Sequence, residues 1–283
     1  MAGSIEYGIC EIEAPLGAEV TGFDAEAPLD DARFAPLLAA ILERQVLVLR
    51  DCPLTPEAQI ALSRRFGPLP PHYQSGYHDR AHPEIFVITN IDRDGRPIPQ
   101  NPDPTSSVWH IDGSWNRPRT SYTMLHGVEV PRRGGDTEFV NTYLAYDSLP
   151  AERRAWLEGL IAVHDLVWSV GDTNPGYRWP EEERAKAPVT ERPVVVRHTE
   201  TGRKAIYLGQ HAASIRGMDW EEGRRVIAEI NAEASRPEFR YAHRWRPHDV
   251  VIWDNRCTMH RSTPYDYASE RRLVYRTSMQ DAA

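Results

Sequence analysis

Cysteine is scarce in this chain: Cys10, Cys52 and Cys257 are the only three in 283 residues. Being odd in number, far apart and without paired spacing, they exclude a disulfide framework and a thiolate zinc knuckle. A reducing cytoplasm is the expected compartment. No apolar run approaches the roughly 20 residues of a membrane-spanning helix. Residues 1–13 also lack the basic-then-apolar order of a leader, so no membrane is expected as a partner. Basic charge is lacking as well: 33 Lys and Arg against 41 Asp and Glu leave a formal charge of −8, which argues against nucleic acid. The doublets Arg64-Arg65, Arg132-Arg133 and Arg224-Arg225 read as solvated faces. There is no internal repeat, low-complexity segment or interdomain linker. With 41% hydrophobic residues the chain can bury one sizeable core, so residues 1–283 read as a single domain.

Helical periodicity is clearest where Asp30 or Asp31 can cap a helix with Phe34, Leu37, Leu38, Ile41 and Leu42 on one face, ending near Arg44. Thr55-Pro56 opens a second helix through Phe66, stopped by Gly67-Pro68, and residues 220–234 form a third. The continuous apolar runs 46–49, 85–88 and 250–253 read as buried strands, and alternation marks strands around 122–126, 137–140, 239–245 and 273–278. Residues 194–196 and 205–208 flank a turn and read as a hairpin. Ser148 and Pro150 start a further helix, whereas residues 171–188 show no periodicity and read as a loop. Many short strands with helices at the front and in insertions give a mainly β fold, a sandwich or barrel with flanking helices.

A histidine followed two residues later by an acid occurs three times, in His82-Pro83-Glu84, His110-Ile111-Asp112 and His198-Thr199-Glu200. With 11 histidines and 41 acids, about 1.6 such pairs arise by chance, so spacing does not choose among them. Context favours His110-Ile111-Asp112. The proline of the first pair removes a ladder donor, and the third runs into a hairpin turn at Gly202, where polar residues face solvent. Residues two apart on a strand share a face, so His110 and Asp112 can grip one side of a metal, a hydrogen-bonded histidine being the alternative. A second histidine would complete two imidazoles and a carboxylate, the set that suits non-haem Fe(II) and O2. His260 follows the polar turn Asp254-Asn255-Arg256 and is presented beside a core; its alternative is an ordinary buried histidine. Arg272 and Arg276, four apart on an expected strand, share a face, which is costly when buried without anions. They imply two acids, a dicarboxylate cosubstrate and an acidic substrate, unless they pair with Asp254, Asp266 or Glu270.

Nearly the whole chain resembles the taurine dioxygenase family of Fe(II)/2-oxoglutarate-dependent dioxygenases. Residues 15–22 resemble its opening strand, Arg65-Phe66-Gly67-Pro68-Leu69 an early helix end, and Gly134-Gly135-Asp136-Thr137 a cosubstrate loop. Trp253-Asp254-Asn255-Arg256-Cys257 with His260 and Arg271-Arg272 match its last motif. Within the family the chain is similar to the phenoxyacetate-herbicide (2,4-dichlorophenoxyacetate) dioxygenases, through Gly134-Gly135-Asp136-Thr137-Glu138-Phe139, Gly202-Arg203-Lys204 and His243-Arg244-Trp245. The resemblance implies a double-stranded β-helix, or jelly roll, with iron on His110, Asp112 and His260. Thr137 and Arg272 would hold the distal carboxylate of 2-oxoglutarate, and Arg276 would face an anionic substrate. The stretch from His260 to Arg272 is one residue longer than in the relatives, so Arg271 is the alternative; the spacing of four to Arg276 favours Arg272.

His72 matches a sulfonate-contacting position of the taurine enzyme, an ordinary loop histidine being the alternative. Ser106 stands where that enzyme has an asparagine near the substrate amine, which disfavours taurine; Trp115 is a candidate for the pocket wall, an ordinary core aromatic being the alternative. The implied reaction uses O2, releases succinate and CO2, and hydroxylates an aryloxy or aryl carboxylate, with possible cleavage to follow. Sulfonates and alkyl sulfates are the alternative substrates, a non-catalytic jelly-roll binding protein for small acids the alternative class. The relatives imply a homo-oligomer.

Overall fold

The structure is a computed structural model that describes residues 7–72 and 74–281. The reading of residues 1–13 therefore falls partly outside the described residues. Its largest element is a seven-stranded sheet in the order Gly8–Glu11, Ala18–Thr21, Val46–Leu49, Val250–Asp254, Thr120–Glu129, Leu273–Gln280, Phe86–Thr89. All neighbours are antiparallel except Ala18–Thr21 with Val46–Leu49. A three-stranded antiparallel sheet, Arg240–His243, Thr137–Asn141 and Thr258–Ser262, faces part of it. The expected hairpin forms between Val195–Arg197 and Lys204–Ile206, and a third sheet joins Ala212–Ile215, Ile161–His164 and Thr190–Pro193.

Burial on both faces explains why the central strands are continuously apolar. Leu47, Leu49, Val250 and Ile252 pack with Phe34, Leu37, Ile41, Leu62 and Phe66 of the helices Asp31–Arg44 and Pro56–Phe66. The alternate residues Val46, Val48, Val251 and Trp253 turn inward and meet Phe139 of the smaller sheet. Both helices start where capping chemistry places them: the Asp30 and Thr55 side chains accept from the N–H groups of Arg33 and Ala58. The first ends at Gln45, whose φ of 63° lets its N–H reach the Ile41 carbonyl. The helix Trp220–Ala234 buries Val226, Ile227 and Ile230 on the far side of the smaller sheet.

Two segments differ from the sequence reading. Thr142–Asp147 is a helix, capped by the Asn141 carboxamide, which accepts from Tyr143 and Leu144; at six residues it is too short to show periodicity. The expected loop over residues 171–188 contains the end of the helix Leu166–Thr173 and the short helix Glu181–Ala185. The basic doublets largely form ion pairs: Arg64 with Glu84 at 3.0 Å, Arg65 with Asp31 at 2.5 Å and Arg132 with Glu270 at 3.1 Å. Among the described residues no helix is long and apolar enough to cross a membrane.

Two buried histidines make acid stability a test of this packing. Burial pushes His126 down to about 4, and His164 down to about 3. Below the ordinary histidine value near 6.5 the unfolded chain takes up protons that these folded imidazoles refuse. Stability is therefore full above pH 6.5 and lost as pH falls towards 4, by about 1.4 kcal/mol per pH unit for each group. Thermal melting should drop between pH 7 and pH 5, and His126→Leu should flatten that slope.

Candidate metal centre and its two cavities

His260 lies on the strand Thr258–Ser262, which returns from a turn at Asn255-Arg256. His110 is joined to it by a single antiparallel bridge, with N–H···O distances of 3.0 and 2.9 Å in the two directions, and the imidazole centroids lie 4.1 Å apart. Asp112 sits in the turn that follows. His110 and Asp112 are thus not two positions of one strand, as the spacing suggested; a bridge and a turn bring their side chains together. The approach is close enough that a Cβ on Gly209 would stand 3.0 Å from the His110 Cα, and Gly209 adopts a φ of +91°.

One ligand atom from each of His110, Asp112 and His260 falls within 4.8 Å of the others. The Nε2 of His110 stands 3.8 Å from Asp112 Oδ1, and that of His260 3.6 Å from Asp112 Oδ2. The Nδ1 of His110 lies 2.8 Å from the Val108 carbonyl, which can only accept, so the proton sits on Nδ1 and the Nε2 lone pair faces Asp112. Burial opposes charge on Asp112, yet its neighbours, the Arg276 guanidinium and the Thr123 hydroxyl among them, hold its carboxyl well below the usual range. Burial pushes His260 far down. An ionised carboxylate and neutral imidazoles are the states that bind a metal, and two nitrogens with one carboxylate oxygen fit Fe(II).

A second cluster, His198, Asp254 and Cys257, has comparable spacing but is already satisfied. The Asp254 carboxylate accepts from Arg256 Nε at 2.9 Å, from Arg256 Nη2 at 2.7 Å and pairs with His198 Nε2 at 2.9 Å. His198, read as a surface residue of a hairpin turn, is therefore a buried one, because Asp254 and Arg256 supply its partner from more than 50 residues away. His82 pairs with Glu57, apart from the centre.

Two cavities meet at His110 and Asp112. The narrow one runs past Leu125, Trp253 and Thr137 to Arg272, and Ser106 also lines it. Arg272 is buried, donates to the Gly135 carbonyl and pairs with none of Asp254, Asp266 and Glu270. Trp245 Nε1 donates to Thr137 Oγ1 at 3.0 Å, which leaves the Thr137 hydroxyl proton for another acceptor. Ser106 is bonded to the Asp103 carbonyl and to the Ser262 hydroxyl, each at 2.8 Å. Arg271 is elsewhere: half exposed, it pairs with Glu129 at 2.9 Å and lines neither cavity.

The wider cavity, about 320 Å³, is lined by His72, Trp115 and Arg276. Arg276 also borders the narrow cavity, stands 3.8 Å from Asp112 Oδ1, lies over the Phe86 ring and bonds His72 Nε2 at 3.0 Å. Its buried Nε has no hydrogen-bond partner among the described residues. Burial pushes the His72 imidazole well down, so a neutral ring nitrogen accepts from the guanidinium. Trp115 is buried against Leu166 and Val170. Sequence reasoning missed His211, which lines this cavity 6.1 Å from the His110 ring and is held by the Ser169 hydroxyl at 2.8 Å. It also missed Tyr265 and Tyr267 beside Arg272. None of the three carries a local pattern; only the fold assembles them.

Residues 11–278 match the family described as taurine catabolism dioxygenase TauD, TfdA family. The chain belongs to the TauD/TfdA family. It is 35% identical over 282 residues to an alpha-ketoglutarate-dependent 2,4-dichlorophenoxyacetate dioxygenase of Cupriavidus pinatubonensis, covering 94% of this chain and 96% of the relative. To an (S)-phenoxypropionate/alpha-ketoglutarate-dioxygenase of Sphingobium herbicidovorans it is 35% identical over 289 residues, covering 98% and 96%. Among solved TauD/TfdA-like structures, that of AAD-2 in complex with Mn(II) and N-oxalylglycine superposes with a TM-score of 0.82 at 29% identity, covering 98% of each chain.

Proposed function

We propose that this chain is an Fe(II)- and 2-oxoglutarate-dependent dioxygenase that hydroxylates a small anionic organic molecule, an aryloxy or aryl carboxylate. The observation that carries this reading is the convergence of His110, Asp112 and His260 at the junction of two cavities, one ending at Arg272 and the other walled by Arg276. His110, Asp112 and His260 would hold the iron. Once bound, it would supply, with 2-oxoglutarate and O2, an oxidative decarboxylation to succinate and CO2 coupled to insertion of one oxygen atom into a substrate C–H bond.

The chain's own residues do the positioning. Arg272 and the Thr137 hydroxyl receive the distal carboxylate of 2-oxoglutarate, and Leu125 and Trp253 keep that end dry. Arg276, fixed by Phe86 and His72, offers its guanidinium to the substrate anion, Ser106 and Trp115 complete the walls, and Arg271 has no part. For an aryloxyacetate, oxygen inserted beside the ether gives a hemiacetal that collapses to a phenol and a glyoxylate. In the same reading the two packed sheets form a double-stranded β-helix, or jelly roll, residues 1–283 act as one domain, and the protein is a cytoplasmic homo-oligomer. The unbroken family match over residues 11–278 supports one domain, and three free cysteines support a reducing compartment.

Gly135 offers a local check. At a φ of +67°, a Cβ there would press to 2.9 Å from Arg272 Nη1. Gly135→Ala is expected to weaken 2-oxoglutarate binding about tenfold, read as a rise in its KM with little change in kcat. The reading as a whole is tested by succinate release with phenoxyacetates, alkyl sulfates and alkyl sulfonates. Release should be greatest with the phenoxyacetates. Preference for a sulfate or sulfonate would move the substrate class, and tight acid binding without turnover would favour a binding protein.

A further inference from the structure

The Asp112 carboxylate is held by a directed chain of hydrogen bonds. Asn255 Oδ1 accepts from the Trp253 indole N–H at 3.0 Å and from the Asp112 backbone N–H at 3.3 Å. Two N–H donors can only face the oxygen of an amide, so Asn255 Nδ2 is the atom 2.9 Å from Thr123 Oγ1, and it donates there. With its oxygen accepting that bond, the Thr123 hydroxyl turns its own proton to Asp112 Oδ2, at 2.9 Å. Both residues are fully buried. Thr123 lies opposite Trp253 in the large sheet, and Asn255 sits in the turn that leads to the His260 strand. One amide thus ties the Asp112 turn, the sheet and the His260 hairpin together.

We infer that Thr123 and Asn255 are positioning residues that set the orientation of Asp112 for the metal, an inference that rests on the metal site proposed above. The alternative pose of the carboxylate is close by: Arg276 Nη1 stands 3.8 Å from Oδ1. Without the Thr123 hydroxyl the carboxylate swings onto that guanidinium. Metal binding weakens, and the arginine that receives the substrate is occupied.

The test is anaerobic calorimetric titration of the full chain with Co(II), comparing wild type, Asp112→Ala, Thr123→Val, Thr123→Ala and Thr123→Ser. Thr123→Val and Thr123→Ala should weaken Co(II) binding about 10- to 100-fold. Thr123→Ser, which keeps the hydroxyl, should stay within about threefold of wild type, while the valine variant, which leaves the buried Asn255 amide without its acceptor, should still melt cooperatively without metal. Valine and alanine variants that bind Co(II) like wild type would overturn the inference, as would a serine variant no better than valine. Wild type that fails to bind Co(II), or binds it no better than Asp112→Ala, would instead overturn the metal-site reading itself.

Discussion

Arg272→Ala is expected to raise the KM for 2-oxoglutarate about 100-fold or more, whereas Arg271→Ala changes it less than about threefold. The two arginines are sequence neighbours with opposite surroundings. Arg272 is buried in the narrow cavity with the Gly135 carbonyl, burial pushes its guanidinium pKa down against the opposing pull of Tyr265, Tyr267, Asp103 and Asp136, and no carboxylate of the described residues stands within ion-pair distance of it. A dicarboxylate entering the cavity supplies that partner, and truncating one side of a buried charge pair costs about 2–5 kcal/mol. Arg271 is half exposed and held by Glu129, a surface pair worth about 0–1 kcal/mol. Steady-state kinetics with 2-oxoglutarate varied at saturating substrate separates the two. Equal effects would mean that the one-residue extension after His260 shifts the anion site.

Arg276→Ala should lower kcat/KM for an aryloxy carboxylate by about 100-fold while leaving the KM for 2-oxoglutarate within about threefold. Arg276 bonds His72, stands 3.8 Å from Asp112 Oδ1 and lines the wider cavity, where the proposed reading has it face the substrate anion. Its loss also frees the Asp112 side of the cavity and leaves the substrate carbon unplaced. Succinate formation should then run ahead of substrate hydroxylation, a ratio measured by quantifying both products in one reaction.

Much of the fold was legible because the decisive signals are local. The helices at 31–44, 56–66 and 220–234 carry their caps and apolar stripes in the sequence, and the runs at 46–49 and 250–253 are apolar throughout because both faces are covered. What failed locally was set at a distance. His198 looked like a turn residue facing solvent, yet Asp254 draws it into the interior. His110 and Asp112 looked like one strand, yet a bridge to His260 fixes the first and a turn the second. Of the candidate site, the spacing of the histidines and acids could not choose among three pairs; the family motifs could. His211, Tyr265 and the pairing of Thr123 with Asn255 come from residues remote in sequence, which no short motif joins.

The most direct measurement is the visible spectrum of the anaerobic full chain with Fe(II) and 2-oxoglutarate. A weak charge-transfer band should appear only when both are present, disappear in Asp112→Ala, and require a much higher 2-oxoglutarate concentration in Arg272→Ala. Absence of the band in intact, folded protein at saturating Fe(II) and 2-oxoglutarate would contradict the account.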